Sequence, residues 1–67
     1  MESIKVSQAV YDGLESVRKG GKTNMLDVDM VIILSAMSGY MVTSNWITDN
    51  KSEYCKGIFR GFEVKDA

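Results

Sequence analysis

The chain has 67 residues, eight basic and nine acidic, for a net charge of −1, which argues against the positive surface that sequence-independent nucleic-acid binding needs. An apolar fraction of 45% argues against a disordered tail, and one cysteine with no histidine leaves no internal disulfide and no Cys/His zinc site. A domain this short hides only about 60% of the surface its unfolded chain exposes, so of the usual supports for small domains, a disulfide, a metal or a partner, the partner is the one that remains.

The sequence predicts one helical domain over residues 1–67, with residues 1–5 and 63–67 as frayed termini. No apolar h-region follows Met1-Glu2-Ser3 and no apolar run reaches the roughly 18 residues of a membrane span, so a cytoplasmic location is expected. Val6, Val10, Leu14 and Val17 recur at helical spacing and mark the apolar face of a first helix. Ser7 is placed to cap it, with Val6 and Tyr11 as a hydrophobic staple. Gly13 weakens this helix by roughly 1 kcal/mol relative to alanine, which suggests a close packing contact there. Arg18 and Lys19 complement the dipole in the last turn, and Gly20 or Gly21 supplies the left-handed residue that ends it.

The next stretch, Arg18 to Asp27, reads R-K-G-G-K-T-N-M-L-D, and Gly21-Lys22-Thr23 is similar to the end of a phosphate-binding loop. That loop requires G-x-x-x-x-G-K-[ST] between a strand and a helix. Here Ser16 holds the first glycine position and a helix precedes it, so no nucleotide cofactor is expected. Gly20 and Gly21 instead stop a helix, Lys22 is solvated, and Thr23 and Asn24 form a turn that bonds its own backbone.

Asp27 is placed to cap a second helix, with Asp29 in its first turn and Leu26 and Val31 in staple positions. The pair Asp27-Val28-Asp29 also resembles the carboxylates of some metal sites, but residues two apart on a helix do not face each other. Met30 to Leu34 is continuously apolar and suits a buried strand or a buried helix; the cap at one end and Ser38-Gly39 at the other favour a helix. Tyr40 to Ile47 is open between a short helix and an extended segment. Asn50 and Glu53 are spaced as a capping box, and Tyr54, Cys55, Ile58, Phe59 and Phe62 then form an apolar stripe. Cys55 on that stripe, with no histidine to activate it, reads as a small core residue. Gly57 and Gly61 either admit a close helix neighbour or end a weak helix. The architecture expected is all-α, a compact bundle of three or four short helices.

Arg18-x-x-Gly21-x-Thr23-Asn24-Met25-Leu26-Asp27, followed by Val31, resembles the signature of a family of short proteins from phages and prophages of Gram-positive bacteria, grouped as a domain of unknown function. The family pattern continues with a glycine-aromatic step, here Gly39-Tyr40, then an isoleucine and an acidic residue ahead of a tyrosine-bearing helix, here Ile47, Asp49 and Tyr54. The resemblance runs from about Val6 to Phe62. It departs at Leu26, where the family has phenylalanine, and at Val31 to Leu34, which is more apolar. It implies a compact helical fold acting inside a bacterial cell and carries no activity with it.

Two functional readings follow. The first is a non-enzymatic protein that associates through its apolar residues, either binding another protein and blocking or redirecting a bacterial host or defence factor, or forming a homodimer. It rests on the absence of an acid–base pair, a nucleophile with its base, or a metal cluster, and on apolar residues in surplus for so small a core. The candidate partner face comprises Met30, Met37, Tyr40, Met41, Trp46 and Phe59, methionine being suited to adaptable surfaces. Gly20, Gly21, Thr23, Asn24 and Asp27 are assigned to caps and turns. The second reading is a small helix-turn-helix-like DNA regulator in which Thr43, Ser44, Asn45 and Lys51 contact bases or phosphates. The net charge opposes it.

Overall fold

The computed structural model describes residues 2–65. In chain order it contains strand β1 (Ile4–Val6), helices α1 (Gln8–Gly20), α2 (Val28–Met37), α3 (Met41–Asp49) and α4 (Lys51–Arg60), and strand β2 (Phe62–Val64). The helical bundle expected from the sequence is present, closed at one side by a small two-stranded sheet. Of the segments left open between helix and strand, 30–34 is helical, and 40–47 is helical from Met41 on, with Tyr40 at its N-cap.

The fraying expected at 1–5 and 63–67 is corrected at residues 4–5 and 63–64 by that sheet. β1 and β2 pair in parallel, Ile4 opposite Phe62 and Val6 opposite Val64. The backbone N–H of Ile4 donates to Gly61 at 2.9 Å and that of Lys65 donates to Val6 at 2.8 Å. A parallel pair needs a long crossover, and here the four helices are that crossover. Three-residue strands carry too short a pattern to read locally, and their pairing joins opposite ends of the chain. Residues 1, 66 and 67 lie outside the described residues.

Local signals place most helix ends. The Ser7 hydroxyl accepts from the N–H of Val10 at 3.3 Å, and Gly21, with φ at 64°, ends α1 in the left-handed region. Asn24 Oδ1 accepts from Leu26 N–H at 2.8 Å, and Asp27 caps α2 by accepting from Met30 N–H at 3.4 Å. The capping box at Asn50 and Glu53 does not form. Asn50 turns back and donates to the carbonyl of Trp46 at 2.9 Å, closing the end of α3, while Glu53 pairs with Lys56. With α3 and α4 only one residue apart, Asn50 serves the carbonyls behind it rather than the amides ahead.

The core is Val6, Val10, Leu14 and Val17 from β1 and α1, Val31 from α2, Ile47 from α3 and Tyr54 from α4. Two contacts set its geometry. Where α3 crosses α1, the side chain of Thr43 fills the space that a Cβ on Gly13 would need. Its hydroxyl donates to the carbonyls of Ala9 at 3.1 Å and Val10 at 3.3 Å, satisfying a buried polar group. The close contact expected at Gly13 is this one. On the other side, Tyr54 is fully buried and its hydroxyl donates to the Met25 carbonyl at 2.5 Å, tying α4 to the loop ahead of α2. The Phe62 ring lies where Gly57 has no side chain, 5.9 Å from the Tyr54 ring and edge-on to Trp46 at 6.3 Å. Gly57 therefore receives a ring rather than another helix, and Gly61, with φ at 89°, ends α4.

Two measurements check this packing. Gly13→Ala raises helix propensity by about 1 kcal/mol yet is expected to lower stability by about 1–3 kcal/mol, since Thr43 has no room to give; Gly20→Ala, with open space around it, is expected to be neutral or stabilising. A higher melting temperature for Gly13→Ala contradicts the crossing. Burial, with a smaller contribution from neighbouring Cys55, pushes the Tyr54 hydroxyl up to about 12, above the ordinary value near 10. The folded chain holds a proton there that the unfolded chain releases, so this contribution is full below about pH 10 and is lost as pH rises through 12. Tyr54→Phe is expected to flatten the fall in stability across that window and to cost about 1 kcal/mol at neutral pH, from the hydrogen bond lost to Met25. An alkaline unfolding curve identical in the two proteins, followed by circular dichroism, contradicts it.

Candidate protein-docking surface

Helix α2 has apolar residues on all sides, VDMVIILSAM, a pattern that belongs to a helix covered all round. The fold covers only part of it. Val31 and Ser35 are fully buried and Val28, Ile32 and Leu34 pack at the edge of the core. On the opposite side Met30, Ile33 and Met37 face solvent, Met37 with 78% of its surface exposed. At 3.6 residues per turn these three fall within an arc of about 60°. Leu26, half exposed, lies in the turn just ahead of the Asp27 cap.

The buried side of α2 is held by α3 and α1. The turn between α2 and α3 is only three residues, Ser38 to Tyr40, closed by Gly39 N–H donating to Ala36 at 3.1 Å and Tyr40 N–H to Ser35 at 2.8 Å. Gly39 adopts φ of 90°, which a residue with a side chain rarely does. Against so short a turn α2 cannot rotate to bury its second apolar side.

Of the six residues assigned to the partner face, the structure brings Met30 and Met37 together on the outer side of α2. Met41 is exposed at the start of α3 beside Val42, and Phe59 is 76% exposed on α4, a different helix. Tyr40 is half-buried in the turn. Trp46 packs on the core against Phe62 and is not part of a free face. Leu26, Ile33 and Val42 are exposed apolar residues as well and were not among the six. The signal for the first two was the spacing 26, 30, 33 and 37, hidden inside a run read as wholly buried. Cys55 is exposed rather than a core residue: it follows Tyr54, and with Tyr54 pointing inward its neighbour on the helix must point away.

The remaining chemistry is modest. Among the described residues no three His, Cys, Asp or Glu side chains cluster. A shallow cleft of about 220 Å³ lies between Leu14, Met25, Ile58 and Phe62, with Arg18 and Glu15 on its rim. Arg18 Nη2 donates to Glu15 Oε2 at 2.5 Å, and this hydrogen bond holds the Glu15 carboxyl below its usual range and Arg18 above its own. A second opening of about 320 Å³ lies between the end of α1 and the end of α2, where Lys22 borders Leu34 and Met37. Asp29 at the other end of α2 meets Lys51 at 4.0 Å, both well exposed, so the pair contributes little. For the DNA reading, Thr43 and Ser44 are buried and unavailable to bases, which leaves Asn45 and Lys51 at the surface. No helix of the described residues is long and apolar enough to cross a membrane.

No curated protein and no solved structure matches the chain. A family model does: the one described as Domain of unknown function (DUF5049) matches residues 6–62, from the last residue of β1 to the first of β2, and the chain belongs to that family.

Proposed function

We propose that this protein is a non-enzymatic interaction module that docks another protein on the outer side of α2. One observation carries the reading: a helix apolar on opposite sides is held by a short turn so that only one side is covered. A solvent-facing row of Leu26, Met30, Ile33 and Met37 is costly to leave wet, at about 25 cal/mol per Å² of apolar surface, and such rows on small monomers mark interaction sites. Methionine at two of the four positions adapts its shape to what it meets. On the resemblance to phage and prophage proteins, the setting we propose is the cytoplasm of a bacterial host, with a host or defence factor blocked or redirected through the protein's contacts. The DNA-regulator reading has lost the side chains of Thr43 and Ser44 and gains no observation in return.

Two substitutions separate docking from folding. Ile33→Glu is expected to keep the helical circular-dichroism signal and to lose the proteins captured by the wild-type chain from host cells. Val31→Glu, two residues back on the opposite side of the helix and fully buried, is expected to unfold the chain, since a lone buried charge costs several kcal/mol. Capture unchanged by Ile33→Glu, or tight DNA binding with a steep salt dependence, contradicts the reading.

A further inference from the structure

Resting on that reading of α2, we infer that the protein docked there is a second copy of this chain, packed antiparallel across a two-fold axis. Within α2 the steps from Met30 to Ile33 and from Ile33 to Met37 are three and four residues, the alternation of a coiled-coil seam, with Leu26 exposed in the turn just ahead of the helix. Two copies of α2 laid antiparallel, with the two-fold axis near Ile33, put Met30 against the partner copy's Met37 and the two copies of Ile33 against each other. A self-complementary patch of this kind is what a two-fold interface requires.

The charges at the two ends agree with that direction. Asp27 and Asp29 stand at the start of α2, Asp29 well exposed with the similarly exposed Lys51 of α4 at 4.0 Å. Lys22 stands at its other end, beside Leu34 and Met37, and no acidic residue lies in the last turn. In an antiparallel pair each Lys22 approaches the aspartates of the other copy. In a parallel pair the acidic ends meet each other and the two lysines meet likewise. A single ten-residue helix per copy gives an interface at the small end of the range, below about 1,200 Å² in total, so the dimer is expected to be a weak one, dissociating at roughly 10–500 μM. Phe59, on α4, lies outside this seam and stays available to a different protein.

The test is sedimentation of the full chain over a concentration range up to about 1 mM, beside circular dichroism. The wild type is expected to pass from monomer to dimer. Ile33→Glu is expected to remain monomeric and helical. Should Ile33→Glu lose its helical signal, Met37→Gln, at the most exposed position of the row, is expected to stay folded and to weaken the dimer. Lys22→Glu and Asp29→Lys are each expected to weaken the dimer roughly threefold to tenfold, and the double variant to recover it, because the swap restores opposite charges only across an antiparallel seam. A monomer at about 1 mM, a dimer indifferent to Ile33→Glu and Met37→Gln, or charge variants that do not rescue each other, overturns the inference. If the chain stays monomeric while Ile33→Glu still loses a captured host protein, the second copy is refuted and the docking role of α2 stands.

Discussion

Where α3 crosses α1, the Thr43 hydroxyl donates to the carbonyls of Ala9 and Val10 and its side chain sits against Gly13. The helices can approach this closely only because residue 13 has no Cβ and because the buried hydroxyl has acceptors. That single crossing fixes the position of α3. The three-residue turn at Ser38 to Tyr40 then fixes α2 against α3, and Val31 enters the core at no exposure. Once Val31 and Ser35 face inward, helical geometry turns Met30, Ile33 and Met37 outward. The exposed row is thus a consequence of a glycine and a threonine far from it, rather than of any local preference.

Tyr54 and Phe62 do the corresponding work on the other side. Tyr54 reaches through the core to the Met25 carbonyl and holds the loop that leads into α2. Phe62 fills the gap at Gly57 and begins the strand that pairs with β1. The two chain ends are joined by that pairing, so the bundle is closed without a disulfide. Among the described residues burial is nonetheless concentrated in seven apolar ones, a small core for a domain whose length already limits it. Covering the outer side of α2 with a partner adds apolar burial where the fold alone cannot.

Much of the helical framework was legible. Ser7, Gly21 and Asp27 carry their cap chemistry in their own side chains or backbone, and the 6-10-14-17 spacing is a property of one segment. Gly13 was legible as a contact but not as a contact with Thr43, which lies on another helix. What escaped reading was set by the third dimension. The strand pair joins residues at opposite ends of the chain. Asn50 had two sets of backbone groups in reach and turned to the carbonyls. Cys55 turned outward because the apolar stripe spans more of α4 than the core can cover; Tyr54 and Ile58 are taken in, and Cys55 and Phe59 are left out, whereas Trp46, on α3, turned inward against Phe62 from the far end of the chain. Met30 and Met37 were legible as surface methionines, whereas Ile33 lay in a run whose two sides the sequence does not distinguish.

The central claim is that the outer side of α2 is a surface built to be covered. Solvent paramagnetic relaxation of the methionine methyl groups, recorded by nuclear magnetic resonance as protein concentration rises, tests it directly. In dilute solution Met30 and Met37 should relax rapidly and Met25, packed on the core, slowly. As concentration rises Met30 and Met37 should become protected together, while the Phe59 ring stays as accessible as before. If Met30 and Met37 remain as accessible as Phe59 at every concentration, no second copy covers α2, and if Phe59 becomes protected in their place, α2 is not the side that is covered.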